Sequence, residues 1–438
     1  VHNGIIEHYR VLKEALTAHG YTFHSTTDSE VFVNLIEYIR TSNNCTLLEA
    51  VQQAIKQVVG AYAIAVVDLD NPDQLIAVRQ SSPLVVGIGD NEYFISSDAA
   101  SVIEHTNDFV YLNDGEIAVI PRRGHMKLTT AENESCKIDI SKLQLSISQL
   151  EKGGYDHFML KEIMEQPEAV RKTISPRLAD GEIVLEELRD AKELMNNISR
   201  IYIVACGSAY HVGMVGKYAL EKMMHIPVEA CLASEFRYSE PILGESSLVI
   251  IISQSGETLD SMAALREAKR RGSKVLSIVN VMGSSIARES DYVLYTWAGP
   301  EIAVATTKAY TTQMVLLIML GVYLAKQFDR MEQEEYMAVI RAFQELPEKI
   351  SIVLSDIDHY QKAASRYFNH NSVFYIGRNL DYALGLEGSL KLKEISYIHS
   401  ESYAAGELKH GTISLIEPGT LVVALATYAP LVEKSLSN

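Results

Sequence analysis

Ser247-Leu-Val-Ile-Ile-Ile-Ser-Gln-Ser-Gly-Glu-Thr258 runs from an apolar strand into a turn made of hydroxyls, an amide and one glycine, and Met262, Leu265 and Ala268 then fall on one side of a helix. Strand, hydroxyl-rich turn and helix start make an anion site. Backbone N–H groups point outward from a helix start and its dipole favours negative charge, while Ser253, Ser255 and Thr258 add hydroxyl donors and Gln254 an amide. A phosphate monoester suits such a turn. For the turn alone a plainer reading stays open, that the hydroxyls simply cap the helix.

The same grammar recurs on either side. Arg200 to Ala205, Lys274 to Val279 and Tyr292 to Trp297 read as further strands of a parallel α/β sheet. The first ends in Cys206-Gly207-Ser208-Ala209, a second small-residue turn before a helix, so two such turns converge at the carboxyl edge of one sheet. A dinucleotide fold needs three spaced glycines, and this turn has only Gly207 and Gly213. After an all-helical stretch from about Ala309 to Asn369, Ser372 to Gly377 opens a second α/β unit with a long helix from about Tyr382 to His399.

The first portion reads differently. Residues 60–119 alternate short apolar runs with turns such as Asn71-Pro72-Asp73, the pattern of antiparallel hairpins, and Ile6 to Ala18 and Ser29 to Arg40 carry helical periodicity. An α+β layered domain is expected over residues 1–145, a linker and hinge over 146–195, one α/β module over 196–330, and a helical connection with part of a second module over 331–438. With 438 residues the chain exceeds the ~250–300 at which single cores stop growing.

Composition narrows the partners. Lys and Arg total 39 against 56 Asp and Glu, a formal charge of -17, which repels nucleic acid and anionic membrane surfaces. Cys45, Cys136, Cys206 and Cys231 are scattered, without the close spacing of a zinc clasp or dithiol motif, and read as reduced thiols of a cytoplasmic protein. The most apolar run, Met314 to Ala325, is short of the ~20 residues that cross a bilayer and reads as a buried helix. No metal site is expected. The chain opens at Val1 in an apolar, glycine-punctuated stretch, which reads as a cut inside a domain.

Glu387, Lys391 and Glu394 fall at i, i+4 and i+7, so an acid, a cation and a second acid share one helical face. On its own that stripe reads more readily as a surface ladder of ion pairs. The following residues, Ser396 to Gly411, are dense in titratable groups, among them His399, Glu401, Glu407, Lys409 and His410. His410 reads either as a surface histidine or as an acid–base group near neutrality.

Three stretches now carry a resemblance. SQSGET (253–258), VATTKAYTTQ (304–313) and EGSLKLKEISYIHSESYAAGELKHG (387–411) resemble the isomerising glutamine:fructose-6-phosphate aminotransferases, and Val1 to Glu7 with Phe23 to Asp28 resembles the later part of that family's N-terminal-nucleophile (Ntn) glutaminase domain. The fold implied is an α+β Ntn glutaminase portion followed by two α/β sugar isomerase (SIS) modules, parallel sheets flanked by helices, the second incomplete. The implied activity converts fructose 6-phosphate to glucosamine 6-phosphate with glutamine as nitrogen donor, with neither metal nor nicotinamide cofactor, in a homodimer.

The resemblance assigns the sugar phosphate to the Cys206-Gly207-Ser208 turn and to Ser253, Gln254, Ser255 and Thr258, with Val304, Ala305 and Thr306 nearby. It makes Glu394 the base moving a proton between the first two sugar carbons, Lys391 the partner of the developing charge, Glu387 the residue that orients both, and His410 an aid to ring opening from the neighbouring subunit. Asn3 and Gly4 match the family's oxyanion hole and Asp28 the grip on the glutamine amino group. The family's nucleophilic cysteine is expected upstream of Val1 and its imine-forming lysine beyond Asn438, so the glutamine site is incomplete and this chain by itself is expected to be inactive. Ala209 stands where a serine is usual and Thr306 where the family shows serine; one lost hydroxyl weakens phosphate binding by about 1 kcal/mol. A competing class is an SIS protein that senses a sugar phosphate without transforming it, which has no chemical reason to carry the Glu387-Lys391-Glu394 stripe or Asn3-Gly4.

Overall fold

The computed structural model describes residues 1–142, 151–191 and 197–437. They fall into two compact units, Val1–Gln149 and Leu150–Asn438.

The first unit stacks helices on a sheet and that sheet on another. Strands β1 (His2–Ile6), β2 (Gly60–Val67), β3 (Gln74–Gln80), β4 (Val85–Ile88), β5 (Tyr93–Ser96), β6 (Asp108–Tyr111), β7 (Ile117–Pro121), β8 (Lys127–Thr129), β9 (Ser135–Cys136) and β10 (Ser141–Lys142) pair as β1-β2-β3-β7-β8-β9 and β10-β6-β4-β5. Side chains alternate across the first sheet as a period of two demands. Tyr62, Ile64, Ile76, Val78 and Ile117 meet the helices Tyr9–Ala18, Asp28–Asn43 and Leu47–Ile55. Ala63, Ala77 and Ala118 face Val86 and Val110 of the second sheet, where small residues let the two sheets approach. The Leu47–Ile55 helix starts at a reciprocal Thr46–Glu49 capping box. At the far end of this unit residues 127–142 supply three strands too short to show a period.

In the second unit, strands β13 (Arg200–Ala205), β14 (Val228–Leu232), β15 (Ser247–Ser253), β16 (Lys274–Val279) and β17 (Tyr292–Tyr295) form a parallel sheet in the order β14-β13-β15-β16-β17, preceded by a short β11–β12 hairpin (Leu178–Ala179, Glu182–Ile183). Helices cover both faces, so the strands are apolar on both sides. Ile201, Ile203, Ile250 and Ile278 pack with the helices Gly207–Met224 and Lys308–Gln327; Tyr202, Val204, Val249 and Ile251 pack with the Leu259–Arg270 helix. Residues 158–174, expected within a linker, form two helices whose Val170 and Ile174 join the first of these cores. By length and composition Lys308–Gln327 is apolar enough to cross a bilayer, yet Leu316, Leu317, Leu320 and Leu324 are fully buried in this core, so it is the sheet's central covering helix.

A smaller parallel sheet follows, β18 (Ser372–Gly377), β19 (His399–Ala404) and β20 (Leu421–Ala424), ordered β19-β18-β20 and covered by the Leu380–Ser396 helix. Its order repeats that of β14-β13-β15. The helix is shorter than the expected run to His399, because Tyr397 turns left-handed (φ 61°) and His399 to Ala404 pair with β18. Asp381, the second residue of that helix, is 1% exposed. Its carboxylate accepts the N–H groups of Thr427 (2.9 Å) and Tyr428 (3.1 Å) and the Thr427 hydroxyl (2.5 Å), all in the turn after β20.

Leu320→Ala empties a fully buried position of the central helix and is expected to destabilise the second unit by about 2–5 kcal/mol, read from denaturant unfolding.

Candidate functional site

The chain passes from β13 to an outer strand, β14, and returns to β15, so the sheet order reverses between β13 and β15 and leaves a crevice at their carboxyl ends. A cavity of about 150 Å³ lies there. Cys206, Ser208 and Ala209 line it from the first turn, Ser253, Gln254, Ser255 and Thr258 from the second, and Thr306 and Gln313 from the chain leading into and along the Lys308–Gln327 helix. Among the described residues, none that lines it is charged. The helices Gly207–Met224 and Leu259–Arg270 both start at it, and neither start receives a side-chain cap.

The hydroxyls build the turn and do not cap the helix. Ser253 Oγ accepts the Gly256 N–H at 3.0 Å and lies 3.0 Å from Thr258 Oγ1; Ser255 Oγ accepts the Glu257 N–H at 3.2 Å. Gly256 is required twice over. Its φ of +68° is left-handed, and a Cβ there would sit 2.0 Å from Ser284 Oγ. Burial pushes the Cys206 thiol above its ordinary range, which keeps it a neutral wall of the pocket. Ala209 presents a methyl where a hydroxyl was looked for; Thr306 keeps its hydroxyl on the lining.

Buried carboxylates hold the segment that carries Thr306. Glu162, 1% exposed, accepts the N–H groups of Ile302 and Ala303, and Glu301 accepts those of Thr307 (2.8 Å) and Ala309 (3.1 Å). Glu301 thus covers the start of the third helix, unlike the two helix starts at the pocket. Its burial raises its pKa, against the pull of the two N–H groups. Lys308 bonds Glu165 at 2.7 Å. Val304 stands fully exposed beside Ala305 and Thr306.

The expected stripe is a connected chain of charges. Glu387 is 6% exposed; its Oε1 lies 3.4 Å from Lys391 Nζ, and Lys391 also pairs with Glu394. What the sequence reading missed is His211, one turn into the Gly207–Met224 helix, whose Nδ1 lies 2.8 Å from Glu387 Oε2. A hydrogen bond between residues 176 positions apart leaves no mark in local spacing. Tyr310 feels the same carboxylate: burial first, then the Glu387 charge, raises its pKa strongly. Glu387 therefore joins the pocket helices to the ladder, while Glu394, at the outer end, keeps its carboxylate partly open to solvent.

His410 is not brought to this site. It is exposed in a turn where its N–H bonds Glu407 O, and its ring has no hydrogen-bond or ion-pair partner among the described residues. In the first unit, Asn3 and Gly4 lie exposed on β1, and Gly4 (φ +125°) has no room for a Cβ, which would meet Ala61 O at 2.0 Å. Asp28 accepts the Ile6 N–H at 2.8 Å and lies 3.6 Å from His2 Nδ1, so it is tied to the same strand. Among the described residues, no cluster of His, Cys, Asp and Glu fits a metal ion.

A reversal-point pocket in a doubly wound sheet followed by a smaller copy of the same strand order is the architecture of an SIS-domain protein, and family models agree. The SIS domain matches residues 194–323 and 366–430, and a glutamine amidotransferase domain matches residues 1–104. The chain is 51% identical, over its whole length and 72% of the relative's, to the glutamine–fructose-6-phosphate aminotransferase (isomerizing) of Clostridium tetani, and 42% identical to that of Methanosarcina acetivorans, again over its whole length and 72% of the relative's. Among solved structures, the C-terminal domain of a glucosamine-fructose-6-phosphate aminotransferase from Francisella tularensis matches 66% of this chain and 80% of its own at 41% identity and a TM-score of 0.64; a phosphosugar isomerase from Silicibacter pomeroyi matches 64% and 81% at 28% identity and 0.54. The chain belongs to the isomerizing glutamine–fructose-6-phosphate aminotransferase family.

Gly256→Ala forces a left-handed alanine into Ser284 and is expected to destabilise the second unit by about 1–3 kcal/mol, read from denaturant unfolding. Glu301 gives a pH signature. A carboxyl with a raised pKa contributes stability that is present below its ordinary value of 4.5 and is lost as the pH rises through the folded value, so thermal melts should show wild type losing stability relative to Glu301→Gln on going from acid to neutrality.

Proposed function

We propose that this chain supplies the sugar-phosphate site, the isomerising groups and part of the glutamine site for the chemistry named for its family, which in the intact protein transfers the glutamine amide nitrogen to fructose 6-phosphate with ketose-to-aldose isomerisation, giving glucosamine 6-phosphate. The observation that carries the reading is the link, through His211 and Glu387, between an uncharged anion pocket and a ladder of acid and base groups. The phosphate occupies the pocket, held by the Cys206-Gly207-Ser208 turn and by Ser253, Gln254, Ser255 and Thr258, with Val304, Ala305 and Thr306 as the adjoining edge. Two helix dipoles and hydroxyl donors supply the attraction in place of a cation.

Glu394 takes a proton from the first sugar carbon and returns it to the second, and the Lys391 ammonium stabilises the enediol-like charge that develops between the two events. Glu387 fixes Lys391 and through it Glu394. His410 assists opening of the sugar ring from a neighbouring subunit; its exposure, and a ring without a partner among the described residues, fit a residue that works across a homodimer interface. In the first unit the Asn3 amide and the Gly4 backbone stabilise the oxyanion formed on glutamine, and Asp28 holds the glutamine amino group. The enzyme is placed in the cytoplasm, in keeping with its free thiols.

Calorimetry tests the pocket. Fructose 6-phosphate and glucosamine 6-phosphate should bind and unphosphorylated fructose should not, and Ser253→Ala should weaken binding by about 1.5–3 kcal/mol, the loss of a hydrogen bond to a charged group. Proton NMR in heavy water tests the base: exchange at the first two sugar carbons should fall at least a hundredfold in Glu394→Gln. Equal binding of fructose, or exchange in Glu394→Gln at the wild-type rate, rules the reading out.

A further inference from the structure

Gln313 is 1% exposed, and neither its Oε1 nor its Nε2 has a hydrogen-bond partner among the described residues. It lies in the second turn of the Lys308–Gln327 helix and lines the pocket. The polar side chains before it are occupied: Thr312 Oγ1 bonds Lys308 O and Ala309 O, and Thr311 Oγ1 bonds Gln166 Oε1. A buried amide with both ends unmet is destabilising unless a partner arrives from outside the fold.

The pocket has a matching need. A dianionic phosphate monoester presents acceptors only and calls for several donors. Among the described residues no cation lines this pocket, the Ser253 and Ser255 oxygens already accept turn N–H groups, and one proton of the Ser253 and Thr258 pair is spent between them, so the turn has few hydroxyl protons to give. An amide N–H from a separate helix supplies a further neutral donor with no ordering needed, since burial already fixes the side chain. Resting on the phosphate reading of the pocket, we infer that Gln313 is a ligand-binding residue: its Nε2 donates to a phosphoryl oxygen of the sugar phosphate, and its Oε1 accepts from a hydroxyl on the sugar chain.

The test separates ligand binding from packing. Gln313→Leu fills nearly the same volume without polar atoms, and Gln313→Glu keeps the shape while replacing the donor with a negative charge. With fructose 6-phosphate and inorganic phosphate as calorimetric probes, Gln313→Leu should lose roughly ten- to a hundredfold in affinity for the sugar phosphate, and Gln313→Glu more. The unliganded Gln313→Leu protein should melt no lower than wild type, since an unmet amide has been removed from the interior. Affinity within twofold of wild type in both variants overturns the inference. So does a lower melting point of unliganded Gln313→Leu together with unchanged affinity, the signature of a purely structural side chain. A wild-type protein that binds neither probe is a different result, which fails the phosphate reading itself.

Discussion

The carboxylate of Glu387 is the constraint around which the second unit is arranged. An ionised group this far from water is strongly unfavourable unless charge and hydrogen bonds meet it on its open sides. Here an imidazole from the Gly207–Met224 helix meets one oxygen and the Lys391 ammonium the other, while the Lys308–Gln327 helix brings Tyr310 near. The helix that begins at the anion pocket and the helix that carries Lys391 and Glu394 are therefore locked in register by one side chain. Removing either partner leaves a buried charge unmet, so the junction resists sliding. The proposed proton transfer would depend on that rigidity, because it depends on where a proton sits relative to a bound substrate.

Much of this was legible in the sequence, for identifiable reasons. Strands covered on both faces must be apolar throughout, so Ile201 to Ala205 and Leu248 to Ile252 announce themselves, and the small-residue turns that follow mark where each strand ends and its helix begins. β14 and β19 escaped because they are edge strands: Glu229, His399 and Glu401 sit in them without interrupting a core, and nothing in their composition separates them from a loop. The two- and three-residue strands of 127–142 are too short to carry any period.

The site divides in the same way. Spacing placed Glu387, Lys391 and Glu394 on one face, and the ladder is there. Spacing could not supply His211 or Glu162, because each bonds groups distant in the chain, nor Glu301, whose partners six and eight residues on are backbone N–H groups that leave no mark in side-chain pattern. Gln313 lay inside a stretch singled out from the sequence, but an amide without partners becomes visible only once its surroundings are packed. His410 shows the opposite case, a residue conspicuous in the sequence whose surroundings within one chain explain nothing about it.

The two sheets share an order of strands and differ in what occupies the reversal point. Ser208 and Asp381 hold the same place, second residue of the helix after the first strand, and each faces the turn that follows the third strand. In the larger sheet that place is lined by small hydroxyls around a cavity; in the smaller one a carboxylate already fills it, tethered to the backbone. A tethered anion competes at an effective concentration that no metabolite in solution reaches. Duplication of the module has therefore not duplicated the cavity: one copy keeps an open, uncharged crevice at its reversal point, and in the other the same place is closed by its own side chain.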